Sequence, residues 1–188
     1  MHSYEATCGF FPPGGSNGFS MHVAILPYLE RSELFNSVNY SSDPNGRGAN
    51  STVRATQIAM YLCPSDNANQ IPHVNKPTNY LGNFGTGVQT HGYNGMFQHL
   101  SLEGPIRARD VLDGLSLTAA LSEGLVAAGI VDRIRVTWST PVSLVGQGEL
   151  EDFADMCEGI AFPNSLSRDP WLRGRPWVFG DAAVTLYN

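Results

Sequence analysis

Charge is sparse in this chain: 15% of its residues are Asp, Glu, Lys or Arg, where ordinary soluble domains have about a quarter. Its 17 acids outnumber 11 bases, for a formal net charge of -6. The bases are scattered, apart from Arg133 with Arg135 and the group Arg168, Arg173 and Arg175. A phosphate-binding surface needs concentrated Lys and Arg, so the composition argues against a nucleic-acid partner.

Cysteine is nearly as scarce. Cys8, Cys63 and Cys157 are too few for a disulfide framework and too scattered for a zinc site, which wants Cys-x-x-Cys or comparable pairs. Two readings stay open: three thiols acting as small apolar residues, or one disulfide plus one free thiol. Long apolar runs are missing too. No stretch approaches the roughly 18 to 20 apolar residues of a membrane span, and Met1-His2-Ser3-Tyr4-Glu5 lacks the charged-then-apolar pattern of a signal peptide. As written, the sequence reads as soluble and unaddressed.

The usual catalytic spacings are also lacking. The histidines His2, His22, His73, His91 and His99 do not form His-Glu-x-x-His or another close ligand set. No Gly-x-Ser-x-Gly occurs, and Gly14-Gly15-Ser16-Asn17-Gly18 lacks the strand-turn-helix setting that exposes a nucleophile. The run Gly82-Asn83-Phe84-Gly85-Thr86-Gly87 is not followed by the helix or Lys that would cradle phosphate. An extracellular hydrolase therefore ranks last among the functional readings, since no nucleophile, base and orienting group assemble from named motifs.

What is present is turn chemistry. Twenty Gly and 12 Pro, with many Asn, Ser and Thr, describe an ordered but irregular domain. The 188 residues suit one domain, 1–188, able to bury about two-thirds of its unfolded surface. Met1 to Thr7 reads as the end of a helix stopped by Cys8-Gly9-Phe10-Phe11-Pro12-Pro13-Gly14-Gly15, because Gly and Pro cannot continue it. Phe19 to Val38 reads as short helices interrupted at Pro27, Tyr40 to Ser51 as a polar loop, and Thr52 to Gln57 as one more helical piece. Ile58 to Leu62 is expected as a buried strand closed by Cys63-Pro64-Ser65-Asp66. Further strands are expected at Asn79–Phe84, Gly95–His99, Ala119–Glu123, Ile134–Trp138 and Trp177–Tyr187. The Gly- and Pro-rich connections favour antiparallel pairing over a βαβ repeat. Leu150, Phe153, Ala154, Cys157 and Ile160 carry amphipathic helical spacing.

Two ligand readings follow from composition. Asp110 and Asp113 offer two carboxylates in a turn that could hold calcium, although Asp110 as helix cap and Asp113-Gly114 as turn is the preferred reading. Tyr93, Trp138, Trp171 and Trp177 could form an aromatic platform for an extracellular glycan, core packing being the commoner fate of such residues. No cofactor is indicated.

Read in order, the motifs His2-Ser3-Tyr4-Glu5, Phe11-Pro12-Pro13-Gly14, Leu26-Pro27-Tyr28-Leu29-Glu30, Leu62-Cys63-Pro64-Ser65-Asp66 and Asn79-Tyr80-Leu81-Gly82-Asn83-Phe84-Gly85 resemble the DUF1559 family of planctomycete-type bacteria. Asp110-Val111-Leu112-Asp113-Gly114-Leu115-Ser116 and Leu121-Ser122-Glu123 are similar to the family's Asp-Gly-x-Ser turn and the strand after it. The likeness covers most of residues 2 to 123 and resumes at Phe179-Gly180-Asp181-Ala182-Ala183-Val184, while about Val126 to Pro170 matches nothing and reads as an inserted or variable region. The family's C-terminal His and Asp-Gly are replaced by Trp171 and Asp181-Ala182.

Members of that family resemble type IV pilins and type II secretion pseudopilins. The resemblance implies a loop-rich α+β head, with an antiparallel sheet packed on an N-terminal helix. It also implies export to the cell surface, a membrane anchor through an apolar helix upstream of Met1, and homo-oligomeric assembly with secretion or pilus proteins. A structural filament subunit, not an enzyme, is the leading expectation, with a glycan-binding module as the alternative.

Overall fold

The computed structural model describes residues 1–44, 48–66, 76–85, 95–98, 100, 104–127, 173–180 and 186–187. Helix α1 spans His2–Cys8 and stops at Gly9, whose φ of 78° lies in the left-handed region and whose N–H donates to Glu5 O at 2.7 Å. Glycine takes that conformation without a Cβ penalty, which is why the helix ends here. Strands β1 (Gly15–Ser16) and β2 (Phe19–Ser20) form a hairpin across Asn17 and Gly18, both at positive φ (49° and 80°). Asn-Gly is the preferred dipeptide for a two-residue turn that matches strand twist.

Helix α2 (Met21–Ala24) follows directly, then a 3₁₀ turn over Leu26–Leu29 and helix α3 (Ser32–Asn36). Pro27 falls in the first turn of that 3₁₀ segment, where its missing N–H has no intrahelical partner to lose. The expected helical piece at 52–57 is helix α4, Ser51–Ala55. The polar loop before it is organised by the buried side chain of Asn50, which accepts from Asn39 N–H and donates to Asn39 O, both at 2.9 Å.

Strand β3 (Tyr80–Asn83) is the centre of the main sheet, with β4 (Leu121–Glu123) antiparallel on one side and β5 (Leu186–Tyr187) on the other. β5 runs parallel to β3, with Gly82 opposite Leu186, so the sheet is mixed. Neither β4 nor β5 is joined to its predecessor by a hairpin turn, so either direction of pairing is open to both. Within the expected closing strand, Phe179 also bridges to Phe19.

Two expected strands are corrected. Ala59–Tyr61 is a 3₁₀ turn: Ile58 and Tyr61 are buried while Ala59 and Met60 are exposed, a period of three where a half-buried strand needs two. Residues 95–98 form a bend. Gly95 N–H and Phe97 N–H donate to Phe84 O and Asn83 O, whereas Gln98 O accepts from Gly14 N–H, so the segment divides its bonds between two neighbours and no ladder forms. The strand expected at 134–138 and the helix expected at 150–160 lie outside the described residues.

The result is a loop-rich α+β fold, with two apolar clusters among the described residues. The first joins Phe19, Val23, Leu26, Val53, Ile58 and Trp177; the second joins Phe11, Met21, Phe84, Met96 and Phe97. α2 lies between them, since Val23 and Met21 point to opposite sides of its short turn, and Met1 packs against both clusters. α2 also makes the close approach to β3. A Cβ on Gly82 would sit 2.7 Å from the Phe97 ring and 2.8 Å from Met21 sulfur. α1 reaches the clusters through Met1 and Tyr4. Gly82→Ala is therefore expected to overpack this seam and to lower stability by about 1–3 kcal/mol, read as a lower urea midpoint with an unchanged slope.

Candidate functional site

Two buried polar junctions tie the motifs together. In the first, the Asn79 side-chain amide donates to Asp66 Oδ2 at 2.6 Å and Gly124 O at 2.9 Å, and its Oδ1 accepts from Cys63 N–H at 2.9 Å. Its backbone N–H donates to Tyr61 O, and its backbone oxygen accepts from Gly124 N–H, both at 2.8 Å. Asp66 Oδ2 in turn accepts from Val126 N–H at 3.1 Å. The expected turn at 63–66 is present, closed by Asp66 N–H on Cys63 O. Asp66 and Asn79 are 5% and 1% exposed, so this chemistry serves the interior. A buried amide that satisfies three segments at once cannot be truncated without orphaning their polar groups. Asn79→Ala is expected to destabilise the fold by about 2–4 kcal/mol, measured by thermal or urea unfolding.

The second junction is built on His22 of α2, 2% exposed. Its Nε2 lies 2.9 Å from Tyr80 O and 3.3 Å from Thr78 Oγ1. A carbonyl can only accept, so Nε2 carries the proton and Nδ1, which has no hydrogen-bond partner among the described residues, is a bare lone pair. Tyr61 O–H donates to His22 O at 2.7 Å, and its ring stands edge-on to the imidazole at 4.8 Å. Burial pushes the Tyr61 phenol up. Burial likewise depresses His22 from 6.5 to about 4, against a smaller raising effect of the Tyr80 carbonyl. The unfolded chain therefore binds this proton more tightly than the folded one. Stability from His22 is complete above about pH 6.5 and is lost as the pH falls towards 4, by about 3 kcal/mol in all. His22→Gln, which keeps a donor towards Tyr80 O, should remove that part of the pH slope in urea titrations between pH 7 and 4.

The other residues singled out from sequence are placed as follows. Asp110 ends a 3₁₀ turn at Ala108–Asp110; its Oδ2 accepts from Arg107 N–H at 2.9 Å and its Oδ1 lies 3.7 Å from Arg109 Nε. Its carboxylate thus reaches back to cap the turn from the turn's last residue. Asp113 is exposed in the neighbouring turn, where Gly114 N–H donates to Val111 O. Among the described residues no three His, Cys, Asp or Glu side chains gather to hold a metal ion.

Trp177 is a correction to the aromatic platform. It is wholly buried, its indole N–H donates to Thr56 O at 3.0 Å, and its carbonyl accepts from Ser20 O–H at 2.6 Å. Tyr93, Trp138 and Trp171 lie outside the described residues, as do His73, His91, His99 and Cys157. Cys8 is exposed and Cys63 buried, and both are free thiols.

Sequence reasoning did not find the two apolar concavities. One, of about 150 Å³, is lined by Met1, Met21, Ile25, Leu29, Met60 and Leu121, with His22 and Tyr61 beneath. Met60 and Leu121 are 52% and 41% exposed at its rim. The other, of about 230 Å³, is an aromatic groove between Tyr4, Phe10, Phe35 and Tyr40, floored by Val23 and Ala24. Tyr40 leans on Phe19 at 4.9 Å and Tyr4 on Tyr28 at 5.6 Å. Burial and then the Cys8 thiol push the Tyr4 phenol up to about 12. The apolar residues at 19–25 contribute to both surfaces, and their sequence signal is shared with the core.

A loop-rich α+β domain whose motif side chains are committed to internal junctions defines the class. The model of one family, described as Protein of unknown function (DUF1559), matches residues 1–152, and the chain belongs to that family. The match runs on to residue 152 through the stretch from 126 that sequence comparison by motif had left unmatched, and it does not include 179–184. The chain matches no curated protein and no solved structure.

Proposed function

We propose that this chain is the head of a pilin- or pseudopilin-like subunit of a cell-surface or secretion-linked filament, a structural protein and not an enzyme. In this reading an apolar helix precedes Met1, anchors the exported subunit in the membrane and packs with its copies. The observation that carries the proposal is the apolar cleft at the start of α1. Met1 lies in it beside the half-exposed Met60 and Leu121, so a helix continuing α1 backwards would leave the head along an apolar surface able to cover it. The commitment of Asp66, Asn79 and His22 to internal bonds fits motifs that specify a fold. The glycan-binding alternative is weaker, because Trp177 has no free face.

The test is to produce the chain with a family-type apolar helix joined at Met1 and to follow it by membrane fractionation and electron microscopy. Membrane association with ordered assembly is expected, reduced at least tenfold by Met60→Glu with Leu121→Glu. A full-length product that stays soluble and monomeric overturns the reading.

A further inference from the structure

Loop 111–121 is the part of this surface that solvation least explains. Leu112 and Leu117 are 92% and 82% exposed, and Leu115 and Leu121 are each 41% exposed. The loop is nevertheless well held. Gly114 N–H donates to Val111 O, Leu117 N–H to Gly114 O, and Thr118 O–H to Gly114 O, while Val111 and Ala120 pack on the second apolar cluster. A braced double turn that points leucines at water leaves the burial free energy of the two most exposed unrealised. Such a convex apolar knob is an interaction surface.

We infer that this knob docks into the aromatic groove of a second copy, in a head-to-tail contact between subunits; the inference rests on the filament reading and gives it an interface between globular domains. The groove holds about 230 Å³, and a cavity of about 150 Å³ already takes a benzene ring, so a leucine side chain enters with room to spare. Knob and groove belong to different surfaces. The groove is floored by Val23 and Ala24, whereas Met21, on the other flank of α2, belongs to the cluster that carries the loop. Contact between two different patches is heterologous, and where its rotation does not close it propagates as a filament.

Charge selects a second copy over a lipid surface. Arg107 and Arg109 at the base of the knob are matched by Asp110 and Asp113, all four exposed, so the patch is locally neutral in a chain of net charge -6. Two acidic copies approach most easily at a neutral patch, while an anionic membrane needs a basic surplus. Area sets the strength. A knob of three leucines, Leu112, Leu115 and Leu117, buries less than the roughly 1,200 Å² of a stable interface, so the contact is weak between free heads and becomes occupied when tethering raises the local concentration.

The test is concentration-dependent amide NMR of this chain up to millimolar levels, without any added helix. Shifts are expected both in 112–117 and around Tyr4, Phe35 and Tyr40, and both sets should vanish in Leu112→Asp with Leu117→Asp, whose exposed positions leave the fold intact. A mixture of Leu112→Cys and Tyr40→Cys, each in a Cys8→Ser background, should form the mixed disulfide at least fivefold over either homodimer. Shifts confined to the loop, shifts that persist in the double variant, a dominant Leu112→Cys homodimer, or leucine-dependent sedimentation with anionic vesicles would each overturn the inference. Because free heads are used, a head contact without helix-driven assembly would refute the filament reading alone, and the reverse would refute the knob alone.

Discussion

The described structure depends on the amide of Asn79. One side chain fixes the turn after Tyr61, the start of β3 and the end of β4, because it bonds Cys63 N–H, the Asp66 carboxylate and Gly124 O together. A short sheet cannot hold such segments by ladder bonds alone: β4 has three residues and β5 two, and small sheets need a packed face or side-chain ties to persist. The network supplies those ties at the edge of the core. His22 then performs the same office between α2 and β3, with its ring proton on Tyr80 O. Both junctions are enclosed, so each bond is made where water cannot compete.

Local chemistry was legible in the sequence wherever one or two residues decide it. Gly9 ends α1, the segments at 79–84 and 119–123 contain β3 and β4, and the helices between Phe19 and Val38 are short and divided near Pro27. The Asn17-Gly18 hairpin had a clear signal that was read only as a poor nucleophile setting. Ile58–Leu62 misled because a run of apolar residues has no period of its own, and the 3₁₀ turn it forms is imposed by which side chains the core accepts. The family was legible from ordered motifs, and the family match bears that out.

The candidate surfaces were less legible, for a physical reason. A groove is made by residues distant in sequence, such as Tyr4 and Tyr40, and each of them looks like an ordinary core residue when read alone. Trp177 shows the converse. As an aromatic in a loop-rich chain it was a candidate for an outward platform, yet its indole N–H found Thr56 O and its ring the core. Amphipathic aromatics are placed by the hydrogen-bond partner available to them, which sequence does not display.

The bond from Ser20 O–H to Trp177 O joins residues 157 positions apart, and Ser20 N–H and Phe19 meet the same late segment at Val178 and Phe179. Closing so long a loop is slow and entropically unfavourable until its contacts are made. On a ribosome the first cluster would thus stay open until Trp177 has emerged, since its largest wholly buried side chain follows every other member of the cluster but Val178. Synthesis and cooperative folding are thus separated in time: the hairpin and short helices form early as local structure, and their joint packing waits for a tryptophan that follows Tyr61 by a long stretch of chain.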